Sequence, residues 1–153
     1  MDQENILIEQ LNYNDIGKIM HLLTALADHH NKTSLNFNGL YPLKPFEKII
    51  SEISQKVKDG YSKVDVIIEN GRIIAFCQYT IEQNLGKLEY LAVLPEYRKR
   101  GYGRILMDRV LQYFKAKNIV RIELKVVYGN NNAKEFYEYY GFKLLSQNMT
   151  MIL

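Results

Sequence analysis

Across residues 15–29 apolar side chains recur at Ile16, Ile19, Met20, Leu22, Leu23 and Leu26, the spacing of the buried face of a helix. Asn14 or Asp15 is placed to cap its start. The preceding "NILIEQL" reads as a strand, and "FEKIISEISQKVKD" reads as a second amphipathic helix stopped at Gly60. Between the two helices lies "NKTSLNFNGLYPLKP", rich in Asn and broken by Gly39, Pro42 and Pro45. A loop of about a dozen residues or more exceeds most connections, and such loops commonly carry function.

After Gly60 the period changes to two. "KVDVIIEN" and "RIIAFCQYTIEQ" flank Asn70-Gly71, a strong hairpin signal, and "LGKLEYLAVL" follows as a third strand that stops at Pro95. Residues 101–117 return to helical spacing, with Ile105, Leu106, Val110, Leu111 and Phe114 on one face. "VRIELKVV" alternates as a strand, "NNAKEFYEYY" is a short helix closed by Gly141, and "FKLLS" and "MTMIL" read as final strands. The order β-α-α-β-β-β-α-β-α-β-β predicts a mixed α/β sheet with helices on its faces, in one domain over residues 1–153.

Composition narrows the function classes. Hydrophobic residues make up 47% and charged residues 24% of the chain, a balance usual for a globular domain. A net charge of +3 is too small to argue for nucleic acid or membrane, although clustered cations would still serve a local anion. Cys77 is the only cysteine, which excludes an internal disulfide, and its apolar run "IIAFCQY" makes it a core residue rather than a nucleophile. "MDQENILIEQ" has neither the basic start nor the apolar stretch of a signal peptide, and no apolar run reaches about 18 residues. A cytoplasmic enzyme or binding domain is therefore expected.

The informative stretch is "LAVLPEYRKRGYGRILM". Strand-like sequence gives way to helix-like sequence at Arg98, Lys99, Arg100, Gly101, Tyr102, Gly103 and Arg104. The first amides of a helix have no intrahelical partner, and together with the macrodipole they form an anion site. Glycines at 101 and 103 would let phosphate oxygens approach the backbone. The nucleotide-triphosphate loop and the dinucleotide fingerprint both need strings that this chain lacks. From the turn alone, a basic surface turn remains an equal alternative.

A second motif, "GNNNAKEFYEYYGF", follows about 30 residues later. Together the two resemble the GNAT superfamily of acyl-coenzyme A-dependent N-acyltransferases. That family carries Arg or Gln, two residues, Gly, one residue, then Gly or Ala after its fourth strand, matched from Arg98 to Gly103. Its later pattern of Asn, Ala, Tyr and Gly-Phe is matched by Asn130, Ala133, Tyr137 and Gly141-Phe142. The resemblance implies a mostly antiparallel sheet with one splayed parallel pair, and acetyl-coenzyme A as co-substrate. It implies that the turn at residues 98–104 holds the pyrophosphate, and that Leu91, Ala92 and Val93 pair with the pantetheine arm by imitating strand addition. Asn130 would contact that arm, and the Tyr137 hydroxyl would face the thioester sulfur.

The chemistry needs a neutral amine, a donor for the oxyanion formed on attack, and an acid near the departing thiolate. In relatives the amide at the position of Val93 serves the oxyanion, and Tyr137 is placed as the acid. Tyr139 and Tyr140 lie beside it, so the assignment rests on the four-residue offset to Gly141. Glu89, four residues before Val93, is the candidate base acting through water, with a solvent-facing strand charge as the equal alternative. His29 and His30 end the first helix beside the long loop, where the resemblance places the amine pocket. They, Asn31 and Tyr41 are candidate lining residues, with Phe37 as a further aromatic wall. No metal site is expected. The acceptor is a small-molecule or peptide amine, and a homodimer is compatible with the resemblance. A non-catalytic acyl-coenzyme A sensor on the same fold is the rival, and a nucleic-acid-binding reading is disfavoured by the charge balance and by the lack of stacking aromatics beside Arg98.

Overall fold

The computed structural model describes residues 5–153. The first four residues, on which the signal-peptide reading partly rests, lie outside the described residues. β1 (Ile6–Gln10) leads through a 3-10 helix (Tyr13–Ile19) into α1 (Met20–Thr33), and α2 (Phe46–Lys58) follows the long loop. Then come β2 (Ser62–Glu69), β3 (Arg72–Glu82) and β4 (Leu85–Val93), a 3-10 turn (Pro95–Tyr97), α3 (Tyr102–Ala116), β5 (Ile122–Glu123) and α4 (Asn131–Tyr139). The sheet order is β1-β2-β3-β4-β5, antiparallel except for the parallel β4–β5 pair. Among the described residues no helix is long and apolar enough to cross a membrane.

Local chemistry explains the elements. The Asn70-Gly71 turn takes positive φ at both positions, 51° and 79°, as a two-residue hairpin loop requires. α2 ends in a Schellman motif, with the Tyr61 N–H on the Lys56 carbonyl and the Gly60 N–H on the Val57 carbonyl. Tyr79 of β3 packs edge-on against Phe114 of α3, and the neighbouring Gln78 bonds Ser62 on the opposite face. Lys56 of α2 pairs with Glu89 on that opposite face. α1 and α2 thus cover one face and α3 the other, with Phe76, Ile16, Ile19 and Leu22 fully buried on one side and Phe114, Leu106 and Met107 on the other.

Three expectations change. The first helix starts as a 3-10 segment and runs on to Thr33 rather than ending at His29. The strand read in "VRIELKVV" forms a ladder only at Ile122 and Glu123, against Gly86 and Lys87. The cause lies in β4, where the register against β3 slips between Tyr90 (opposite Gln78) and Leu88 (opposite Tyr79), leaving Glu89 as an extra residue. Such a bulge bends its strand and raises the local twist, so β4 leaves β5 behind it. Finally, "FKLLS" and "MTMIL" form no strand, and residues 143–153 are exposed without regular structure. Strand propensity needs a partner edge to become a strand, and the two-residue ladder of β5 brings none to this segment.

Candidate functional site

The parallel pair splays as the resemblance implied. Beyond Lys87 the β5-facing edge of β4 is unpaired, while its other edge stays on β3 up to the Val93–Ala75 pair. The Leu94 N–H donates to the Ile74 carbonyl at 2.9 Å. Antiparallel ladders alternate, so the main-chain groups of Ala92 point to β3 and those of Leu91 and Val93 point into the gap. Ala92 is buried and lends the gap no free amide.

At the end of that edge sits the basic turn. Lys99 and Gly101 both take positive φ, 63° and 88°, and Gly101 is the N-cap of α3. The first helical bond runs from the Ile105 N–H to the Gly101 carbonyl, so the amides of Tyr102, Gly103 and Arg104 have no partner in the helix. A Cβ at Gly103 would lie 3.6 Å from the Phe136 ring of α4, in ordinary contact, so α4 lies against the first turn of α3. Tyr102 contributes backbone only, because its ring is buried. Arg100 and Arg104 lie over the rings of Tyr97 and Tyr139 at 5.3 and 5.0 Å. Arg98 turns inward instead: its Nε donates to the Val93 carbonyl at 3.1 Å and its Nη1 to His29 Nδ1 at 3.2 Å.

α4 separates its three tyrosines. It ends in a Schellman motif, with the Phe142 N–H on the Tyr137 carbonyl and the Gly141 N–H on the Glu138 carbonyl. The Phe142 ring lies 6.0 Å from that of Tyr137, the apolar contact that accompanies this cap. The ring of Tyr137 therefore has a structural duty, but its hydroxyl bonds no side chain among the described residues. Burial, with a smaller contribution from Cys77, pushes its pKa upward and keeps the phenol protonated. Cys77 is the cross-strand partner of Leu91, so the phenol and the open stretch of β4 share one neighbourhood. Tyr140 gives its hydroxyl to Asp108 at 3.3 Å, and Tyr139 is mostly exposed. Asn130 caps α4, its Oδ1 accepting from the Ala133 N–H at 3.1 Å. Gly129 before it is dictated by contact: a Cβ there would sit 2.3 Å from the Thr33 carbonyl at the end of α1.

The other candidates divide. Glu89 projects from the bulge toward α2, with Lys56 Nζ 3.8 Å from its carboxylate. His29 joins the basic turn through Arg98 rather than the loop. His30 lies 4.9 Å from the Tyr41 ring, its Nδ1 buried without a partner and its pKa lowered to about 4 by burial and, less, by His29. Asn31 organises the loop, accepting from the Gly39 and Tyr41 amides and donating to the Tyr41 carbonyl. Cys77 is fully buried. Two residues escape sequence reasoning. Gln78 is buried with its Oε1 unpartnered, and Tyr90 faces Gln78 across the ladder at the bulge. Only the register slip exposes them, and no local motif signals it.

Several comparisons bear on this arrangement. A 78-residue stretch is 33% identical to the ribosomal protein bS18-alanine N-acetyltransferase of Haemophilus influenzae, covering 50% of this chain and 51% of that protein. A 57-residue stretch is 40% identical to a mycothiol acetyltransferase of Beutenbergia cavernae, covering 37% of this chain and 19% of that protein. The chain thus spans about half of the first relative and less of the second. In structure it is similar to a PaiA N-acetyltransferase from Thermoplasma acidophilum in complex with coenzyme A, with a TM-score of 0.75, 20% identity, and 94% of this chain and 92% of that one covered. Residues 23–142, which hold the splayed strands, the glycine turn and α4, match the acetyltransferase (GNAT) family, and the chain belongs to that family.

Proposed function

We propose that this chain is an N-acetyltransferase that takes acetyl-coenzyme A as co-substrate and a primary amine as acceptor. One observation carries the reading: an unpaired strand edge runs directly into unpaired helix-start amides on a basic turn. The residues present fit the group. The free amides at residues 102–104 suit phosphate oxygens, and the outward N–H groups of Leu91 and Val93 with the Leu91 C=O suit the amide-bearing arm, while the Val93 C=O is held by Arg98. Asn130 keeps its Nδ2 for that arm while its Oδ1 caps α4. The bound co-substrate would supply an acetyl group activated as a thioester.

The protein's own groups would do the rest. The Val93 N–H, fixed by the ladder, donates to the oxygen of the acetyl carbonyl as charge grows there. Tyr137, held neutral by burial, donates its hydroxyl proton toward the departing sulfur. Glu89, raised on the bulge, accepts the amine proton through water, with Lys56 beside it. His30 and Tyr41 line the acceptor side, where the orphaned His30 Nδ1 offers a polar contact. His29 belongs to the turn side through Arg98. The fold is also similar to that of an aminoglycoside acetyltransferase bound to a bisubstrate analogue, at 16% identity and a TM-score of 0.71. The test is coenzyme A release from acetyl-coenzyme A across a panel of aminoglycosides, polyamines, amino acids and peptides with a free N-terminal alanine. Turnover with one amine class supports the reading. Tight acetyl-coenzyme A binding without release for any amine would favour the sensor.

A further inference from the structure

One carboxylate in the core takes no part in the site described above. Asp65 of β2 is fully buried. Its Oδ1 accepts from Gln10 Nε2 at 3.2 Å, and its Oδ2 accepts from the Tyr79 hydroxyl at 2.9 Å and from Arg109 Nε of α3 at 3.3 Å. A buried ion pair rarely stabilises a fold more than well-packed apolar side chains of the same volume would, so stability alone does not account for this one. The pair also leaves a functional end free. Arg109 uses only its Nε on Asp65, its side chain is 43% exposed, and its two terminal nitrogens have no partner among the described residues. Asp65 thus fixes the orientation of a guanidinium whose outer edge is open.

Arg109 lines a cavity of about 400 Å³ between β1, β2 and α3, with Asp65 at its floor and Lys63 and Tyr113 on its walls. That volume lies within the range of small-molecule sites. Lys63 Nζ donates to Gln10 Oε1 at 3.3 Å and lies 5.5 Å from the centre of the Tyr113 ring. The Tyr79 and Tyr113 rings meet edge-on at 5.2 Å and give the cavity an apolar wall. Two cations line it against one carboxylate, and both oxygens of that carboxylate are engaged within the protein. The lining is therefore net positive, and Lys117 Nζ, 5.8 Å from the same Tyr113 ring, has the same sign. The end of a guanidinium presents parallel N–H groups at the spacing of the two oxygens of a carboxylate. The planar fork and the ring wall together suit a carboxylate on an apolar body better than they suit inorganic phosphate. The cavity is separate from the co-substrate junction, because residues 109–113 lie roughly 8–14 Å further along α3 than Arg104.

We propose that this cavity is a second ligand site, which binds a small carboxylate with an apolar body through the Arg109 fork and Lys63. This is independent of the acyl-transfer reading. The test is a nuclear magnetic resonance titration of the whole chain with benzoate and, separately, with inorganic phosphate, at matched ionic strength. The side-chain resonances of Gln10, Gln112 and Arg109 Nε report the cavity, while the amides of residues 102–104 report the junction separately. Benzoate should move the cavity resonances saturably, with a Kd of about 1 mM or tighter. Removing the Arg109 cation would strand a buried carboxylate, so the first variant is Arg109→Lys, which keeps the charge and loses the fork. The second is Lys63→Glu, which leaves the Asp65–Arg109 pair in place and decides the matter alone if Arg109→Lys does not fold. Each folded variant should bind benzoate about tenfold more weakly or worse. No saturable movement of the cavity resonances in the wild type overturns the proposal and leaves Asp65–Arg109 a structural pair. Unchanged affinity in the folded variants overturns it as well, because the anion then binds elsewhere. Tighter binding of phosphate than of benzoate at these resonances overturns the carboxylate assignment.

Discussion

Arg98 Nη1 lies 3.2 Å from His29 Nδ1 while Arg98 Nε lies 3.1 Å from the Val93 carbonyl oxygen. One guanidinium therefore ties the end of α1, the open end of β4 and the basic turn. Arginine has no acceptor, so His29 Nδ1 must accept and its other ring nitrogen carries the proton. A residue read from sequence as a phosphate ligand thus braces the backbone that would hold the ligand.

That bracing predicts a specific loss. Hydrogen bonds from a charged donor contribute about 1.5–3 kcal/mol each, partly replaced by water when lost. Arg98→Ala should weaken acetyl-coenzyme A binding by about tenfold or more in calorimetry. Arg98→Lys keeps the charge but loses the planar fork, so it should recover less than half of that loss in free energy. Full recovery with lysine would mean that Arg98 acts only by charge.

His30 gives a pH dependence with a defined sign. Its pKa falls from 6.5 unfolded to about 4 folded, chiefly through burial. Above pH 6.5 neither state holds the proton and stability is intact. As the pH falls from 6.5 to about 4 the unfolded chain takes up a proton that the folded one refuses, so stability is lost across that window. His29 is lowered too, by burial, Arg98 and Lys32, and adds in the same direction. Between pH 6.5 and about 4 the melting temperature of the wild type should fall more steeply with decreasing pH than that of His30→Gln. Equal slopes would refute this.

Tyr137→Phe keeps the ring that packs on Phe142 and removes only the free hydroxyl. Losing a general acid usually costs about 10²–10⁴-fold in rate, and less where the leaving group is a thiol of pKa about 8.5. Turnover should fall about 10- to 100-fold with little change in melting temperature or co-substrate affinity. Tyr139→Phe should be silent, and Tyr140→Phe should lose only the weak bond to Asp108. Equal losses in all three would indicate a structural cluster.

Much of this was legible in the sequence because it was encoded locally. Asn70-Gly71 and Gly60 announced their turns, and Tyr137, Gly141 and Phe142 are the C-terminal cap of α4 spelled out in order. The basic turn was legible because strand end, glycine and helix start are adjacent in the chain. What escaped depends on distant partners. The bulge at Glu89 is a register relation between β3 and β4, and from it follow the shortened β5 and the Gln78–Tyr90 pairing. The bond between Arg98 and His29 also escaped, because its partners lie 69 residues apart. The final strands were read from short apolar runs, which cannot say which edge receives them.

The most direct measurement is titration calorimetry of acetyl-coenzyme A against the wild type and the Gly101→Glu/Gly103→Glu variant. Gly101 holds φ at +88°, where a side chain is strained, and a carboxylate at either position would bring negative charge beside the free amides at the start of α3. The variant's fold should first be verified by circular dichroism. Saturable one-to-one binding by the wild type and none by a folded variant is the predicted result. Wild-type affinity in a folded variant, or no binding by the wild type, would contradict the assignment of this junction as the co-substrate site.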